Sequence, residues 1–171
     1  MEIVIQIIGF CGLLANFISF QFKSHKNILL FRSINEGLFI SQYFLLGAFS
    51  GAFLNIVGVI RNVIFTKQVA KEKSTTASTI IFSIIFTVFG LLTFDGVKSI
   101  MLIFAKVLST VAYSNKNATI IRTVSFLTHI AYLFYNISVF SLAGALSDGI
   151  LLVSLIIGII RFDILPQIKK A

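Results

Sequence analysis

Cysteine, proline, tryptophan and acidic side chains are scarce in this chain, and each scarcity closes off a class of protein. The single cysteine, Cys11, excludes an intramolecular disulfide and a thiolate metal cluster; lying inside the first apolar run, it reads as a small apolar filler. With no tryptophan, an interfacial aromatic belt has to come from Tyr43, Tyr113, Tyr132, Tyr135 and some of the 19 phenylalanines. Six acidic residues, none paired at short spacing, leave no two-carboxylate site, and GxSxG, HExxH and P-loop patterns are missing as well. The chain is therefore expected not to be an enzyme and to hold no cofactor and no metal. The N-terminus MEIVIQ lacks a basic n-region and a small-residue cleavage site, so the first apolar run is expected to persist as a helix.

What is present is hydrophobicity. Apolar residues make up 57% of the 171 positions and charged residues 12%, which suits membrane segments rather than a soluble core. Seven spans are expected: Ile3 to Phe22, Ile28 to Leu46, Ala48 or Ala52 to Phe65, Thr79 to Leu92, Val97 to Tyr113, Ala118 to Phe140 and Ala143 to Ile160. A tight turn around Gly47 and Gly51 joins spans two and three, Asp95 and Gly96 turn the chain after Phe94, and TKQVAKEKSTTAS reads as a solvated linker. Pro166, the only proline, falls in the basic tail RFDILPQIKKA.

Landmarks of the first three spans return roughly ninety residues later, a sign of internal duplication. Lys26, Asn27 and Arg32 recur as Lys116, Asn117 and Arg122; Gly51, Ala52 and Asn55 recur as Gly144, Ala145 and Asp148. GVIR at Gly58 to Arg61 recurs as GIIR at Gly158 to Arg161 after seven extra residues, which is two helical turns and keeps the same face. The expected architecture is one all-α integral membrane domain over 1–171, built 3+1+3 from parallel repeats. Repeat one covers 3–65, a loop and linker helix 66–94, repeat two 97–160 and a cytoplasmic tail 161–171.

A net charge of +8 would suggest nucleic acid in a soluble protein, but its placement points to a bilayer. With seven crossings, 12 of the 14 basic residues fall on one side, leaving Lys98 on the other and Lys106 within a span. Basic loops face the cytoplasm, so the N-terminus is expected outside and the C-terminus inside, in a multi-pass cytoplasmic membrane protein that does not bind nucleic acid.

Small and polar residues recur at helical spacing: Gly9, Gly12, Asn16 and Ser19 in span one; Arg32, Asn35, Glu36 and Gln42 in span two; Gly51, Asn55, Gly58 and Asn62 in span three. Span six carries Arg122, Ser125, His129, Tyr132 and Asn136, and span seven Gly144, Ser147, Asp148, Ser154 and Gly158. Helix packing alone explains the glycines and serines. Glu36, Lys106, His129 and Asp148 are different, because an ionisable group at membrane depth is a site hypothesis by default. Structural pairs of Glu36 with Arg32 and of Asp148 with Lys106 are the competing explanation. Lys98, Arg61 and Arg161 lie near span ends, where snorkelling suffices, and His25 falls in a loop.

The segments SFQFK (Ser19 to Lys23), LLGAFSGAFLN (Leu45 to Asn55) and GVIRN (Gly58 to Asn62) resemble the YgjV-type bacterial inner-membrane family, over nearly the whole chain. That family is similar in turn to SWEET and PQ-loop transporters, which have two parallel three-helix bundles joined by a linker helix. The resemblance implies transport of a small polar solute by alternating access between the bundles, with Asn55 and Asp148 in the slots that bind it. Asn16 and Lys106, at matching places in spans one and five, would flank the solute; Glu36, His129 or Asp148 could carry a coupled proton. SWEET hinge prolines are missing, the Pro-Gln motif is Phe20-Gln21, and Gly37 or Gly90 would loosen a helix instead. The alternative is a non-transporting receptor or interaction protein with the same bundle. Both readings admit a homo-oligomer.

Overall fold

Backbone polar groups in an apolar setting must be satisfied within the chain, and helices do this locally. The computed structural model describes residues 2–46, 49–92, 96–138 and 142–168, and the regular structure among them is all helical. The elements are α1 (Glu2–Ser19), α2 (His25–Leu45), α3 (Phe49–Ala70), α4 (Thr76–Leu92), α5 (Val97–Ser114), α6 (Ala118–Ser138) and α7 (Leu142–Ile159). Gly47 of the turn expected between spans two and three, Phe94 and Asp95 at the turn expected before span five, the span ends Ala48 and Phe140, the side chains of Lys98 and Asn136, and Lys169 and Lys170 lie outside the described residues. Gly96 has φ 70°, a left-handed position that glycine takes without strain.

Two segments are more helical than expected. The polar linker shrinks to a turn, because Lys67, Gln68 and their neighbours contain no glycine or proline and carry α3 on to Ala70. At the other end, α7 continues through a π-helical segment (Ile160–Ile164) into a last turn, α8 (Leu165–Ile168), where a tail was expected. Pro166 explains the widened turn: it has no N–H and its ring crowds the carbonyl four residues back, so the chain relaxes just before it. The Leu165 N–H then reaches back to the Ile160 carbonyl.

Helix α2 packs between α1 and α3, α6 packs between α5 and α7, and α4 lies along α5. The two triples meet where α1 touches α7 and α3 touches α5. Helix α4 contributes Phe82 and Phe86 to the apolar core, with Phe82 edge-on to Phe65 at 6.0 Å, and leaves Ile80, Ile81, Ile84, Val88 and Leu91 exposed.

Burial is inverted relative to a water-soluble fold. Arg61, Asn62, Arg122, Ser125, His129 and Asp148 are inside, while Ile3, Phe10, Phe53, Phe104, Phe134 and Leu146 stand exposed. An exposed apolar surface this extensive calls for an apolar environment. Among the described residues one helix, Ala145–Ile168, is by length and composition apolar enough to cross a membrane; Ile3–Ser19, Thr76–Leu92 and Ile103–Ser114 are shorter apolar helices. Helices α2, α3 and α6 have 21, 22 and 21 residues, about 31 to 33 Å, and buried polar side chains such as Arg32, Asn35, Glu36, Arg61, Asn62 and His129 lower their hydropathy, together with exposed Lys26 and Lys67 near helix ends.

The chain beyond α1 is pinned to the second triple. Gln21 Nε2 donates to the Ser154 carbonyl (2.8 Å) and to Ser154 Oγ (3.0 Å), and that hydroxyl donates to the Phe17 carbonyl (2.6 Å). Arg122 Nη1 donates to the Phe22 carbonyl at 2.9 Å. His25, the first residue of α2, is buried rather than free in a loop, and its Nε2 donates to the Tyr113 carbonyl at 2.9 Å. Burial pushes the His25 pKa below its usual value, against the opposing effect of that hydrogen bond. Removing the Ser154 hydroxyl leaves buried partners unmet, so Ser154→Ala should lower the unfolding free energy in detergent by about 1–3 kcal/mol. The exposed Ser41→Ala, measured alongside, should change it by less than about 0.5 kcal/mol.

Candidate functional site

The polar stripes of α1 and α2 interlock. A Cβ on Gly9 would fall 2.4 Å from Gln42 Nε2, so the glycine is what admits that side chain. One turn on, Asn35 Nδ2 donates to the Gly12 carbonyl at 2.8 Å, and after that Arg32 Nη1 donates to Asn16 Oδ1. The Arg32 guanidinium also lies over the rings of Phe20 (5.8 Å) and Tyr113 (5.1 Å), contacts worth about 2 kcal/mol each when desolvated.

On its other side, α2 offers Glu36 to α3. Arg61 Nη2 donates to Glu36 Oε1 at 3.2 Å, and Asn62 Nδ2 to Glu36 Oε2 at 2.9 Å. Arg61 bonds Asn62 Oδ1 through Nε and Nη2, and Nη1 reaches Thr110 Oγ1 on α5 at 3.2 Å. The rings of Phe86 and Tyr113 cover the same guanidinium at 5.3 and 4.9 Å. Lys106 stands one turn before Thr110, its Nζ 5.6 Å from the Phe86 ring centre and within electrostatic reach of Glu36, Arg61 and Arg32.

In the second triple, His129 Nδ1 lies 3.0 Å from Asp148 Oδ1. An ionised Asp148 carboxylate only accepts, and with that partner the proton of this contact belongs on His129 Nδ1, which leaves Nε2 facing away from the carboxylate. Phe20 meets the His129 ring edge-on at 6.1 Å and Tyr132 meets it at 5.8 Å. Both His129 and Tyr132 are within electrostatic reach of Arg32. Nearer the end of α7, Arg122 Nε and Nη2 grip Asp163 Oδ2 and Oδ1 at 2.8 and 2.5 Å, and Thr119 Oγ1 donates to Oδ1.

These contacts place the expected residues. Asp148 and His129 come together, Asn16 meets Arg32, and Glu36 sits in a cage with Arg61 and Asn62. Asn55 is half-buried on the face of α3 that carries Gly58 and Asn62. Neither of the two competing ion pairs forms: Glu36 takes Arg61 rather than Arg32, and Asp148 takes His129 rather than Lys106. Arg61 does not snorkel. It is 2% exposed, whereas Arg161 is exposed and rests on Phe162. Cys11 is exposed rather than filling a core position. Arg61, read from the sequence as a snorkelling residue, and Tyr113, read as part of an interfacial belt, are instead buried in this network; the repeated arginine of GVIR and GIIR was the available signal.

Arg32 Nε, Ser125 Oγ and His129 Nε2 are buried without a partner among the described residues. Ser19 and Ser109 donate to the carbonyls of Asn16 and Lys106. The described residues contain no group of three or more metal-ligating side chains. A cleft of about 720 Å³ lies at the loop ends, lined by residues such as Glu72, Lys73, Asn115 and Lys116, and other clefts lie on the outer apolar faces.

Compared with known proteins, residues 3–165 match the model of one family, Imp-YgjV, described as a bacterial inner membrane protein. No curated protein and no solved structure matches.

A Cβ on Gly58 would lie 2.6 Å from Glu36 Oε2, so the glycine makes room for the carboxylate that holds Arg61. Gly58→Ala should therefore destabilise the folded protein by about 1–3 kcal/mol in detergent unfolding. Gly37→Ala, with nothing within 4 Å of its added methyl, should be neutral or stabilising by up to about 1 kcal/mol.

Proposed function

The chain belongs to the Imp-YgjV family of bacterial inner membrane proteins, and on that premise we propose that it moves a small polar solute across that membrane. The single observation that carries this reading is that Arg32 Nε and His129 Nε2, on α2 and α6, are buried without a partner among the described residues, inside a bundle whose outer surface is apolar. Purely structural polar residues in an apolar bundle find partners, and groups left without one favour a ligand.

In this reading the chain is a multi-pass 3+1+3 bundle with parallel repeats, N-terminus outside and C-terminus inside. The contacts of α1 with α7 and of α3 with α5 support it, because exchanging the two triples turns one contact into the other. Further support comes from the repeated glycines: Gly58 lies against the carboxylate of Glu36, and Gly158 lies against Arg122 Cδ and the Phe20 carbonyl. Likeness to SWEET and PQ-loop transporters belongs to this proposal too, with Gln21 of the Phe20-Gln21 dipeptide tying the end of α1 to α7. Asn55 and Asp148 hydrogen-bond the solute, Asn16 and Lys106 flank it, and the Asp148–His129 pair or Glu36 takes the proton if transport is driven. The chain is not an enzyme and needs no cofactor.

A second reading, a receptor or interaction protein that does not transport, is favoured by the pairing of Arg61 with Glu36 and of Arg122 with Asp163. Uptake of labelled sugars, nucleosides, amino acids and organic acids by proteoliposomes separates the two. Transport predicts saturable uptake of at least one class, reduced roughly tenfold or more when Asn55→Ala and Asp148→Asn are combined. Uptake no greater than in protein-free liposomes across the panel, with protein shown to be folded, favours the second reading.

A further inference from the structure

Three arginines are buried in this bundle, and two of them have a carboxylate: Arg61 has Glu36 and Arg122 has Asp163. Arg32 is 91% buried by its 9% exposure, yet no carboxylate among the described residues lies within 4 Å of it. Among the described residues its one polar partner is the neutral amide of Asn16, its cation rests on the rings of Phe20 and Tyr113, and its Nε hydrogen has no acceptor. A guanidinium in this state is costly, because a buried charge without a countercharge forfeits hydration and gains little in return. The nearby carboxylates do not relieve it: Asp148 is engaged with His129 and Glu36 with Arg61 and Asn62.

We propose that Arg32 is the anchor of a binding site for a small oxyanion, a carboxylate or phosphate group carried by a soluble molecule. The planar guanidinium presents donors in a fork that matches two oxygens of such a group, a geometry an ammonium cannot copy. A neutral polyol or sugar would leave the cation uncompensated. Ser125 Oγ and His129 Nε2, one turn apart on α6, are two further buried polar atoms without partners among the described residues, and His129 bears on the same Phe20 ring as Arg32. The Ser125 hydroxyl can donate to an oxyanion directly, and His129 can do so once Nε2 is protonated, with Asp148 stabilising the imidazolium through Nδ1.

This inference rests on the transport reading for its biological role, but binding tests it separately. Purified full-length protein in detergent, at constant ionic strength set with sodium chloride, is unfolded by heat in titrations of lactate, succinate, inorganic phosphate and glycerol. The expected result is saturable stabilisation by at least one of the three anions and none by glycerol. Arg32→Gln should weaken the apparent affinity roughly 10- to 100-fold, and Arg32→Lys about tenfold, whereas the exposed Arg161→Gln should leave it unchanged. If Arg32→Gln does not fold, the Arg32→Lys variant decides alone. Stabilisation by none of the three anions, or an affinity that Arg32→Lys does not alter, overturns the proposal. So does Arg32-dependent stabilisation by phosphatidylglycerol but by no free anion, which would place the oxyanion on a lipid. Proteoliposome uptake then separates the two claims: Arg32-dependent anion binding without uptake keeps the site and sinks transport. Uptake of a neutral solute that Arg32→Gln leaves unchanged keeps transport and sinks the anion site.

Discussion

Taking a guanidinium out of water costs several kcal/mol unless its charge and its donors are met inside the protein, and this chain buries three, of which Arg61 and Arg122 are met by carboxylates and Arg32 is not. Much of the interior follows from that requirement. Gly58 is bare so that the Glu36 carboxylate can reach Arg61, Asn62 closes the other side of that carboxylate, and Tyr113 lies under both Arg61 and Arg32. In the second triple, the π-helical turn ahead of Pro166 lies where Asp163 meets Arg122. The outward faces carry little of this burden and are free to be apolar throughout.

The stripes were legible in the sequence for a physical reason. In a chain with so few polar residues, those at steps of three and four have nowhere to go but the inside of a bundle. Gly9, Gly12 and Asn16 do face Gln42, Asn35 and Arg32. The family, too, could be read from SFQFK, LLGAFSGAFLN and GVIRN, and the match over residues 3–165 bears that out.

Partner choice was not legible. Arg32 and Glu36 are one turn apart, but a basic residue four positions before an acidic one is the weaker orientation, and long side chains lean toward the helix N-terminus. Arg32 therefore leans away from Glu36, toward Asn16 and Phe20, and leaves the carboxylate to α3. Arg61 was misplaced for another reason. The apolar run stops at Phe65 but α3 continues to Ala70, so a residue that looked close to the span end lies more than two turns inside. The meeting of His129 with Asp148 joins two helices across 19 residues, and periodicity within one helix contains no information about it.

The account turns on whether the centre between the two triples is reached by water in the working protein or is a sealed, structural interior. Ser125, fully buried and without a hydrogen-bond partner among the described residues, reports on this directly. With Cys11→Ala as background, Ser125→Cys can be exposed in sealed membrane vesicles of each orientation to a membrane-impermeant maleimide. A solute passage predicts slow labelling from both faces, suppressed by the solute that is carried. A thiol that stays unmodified from both faces, yet reacts once the protein is denatured, would contradict it.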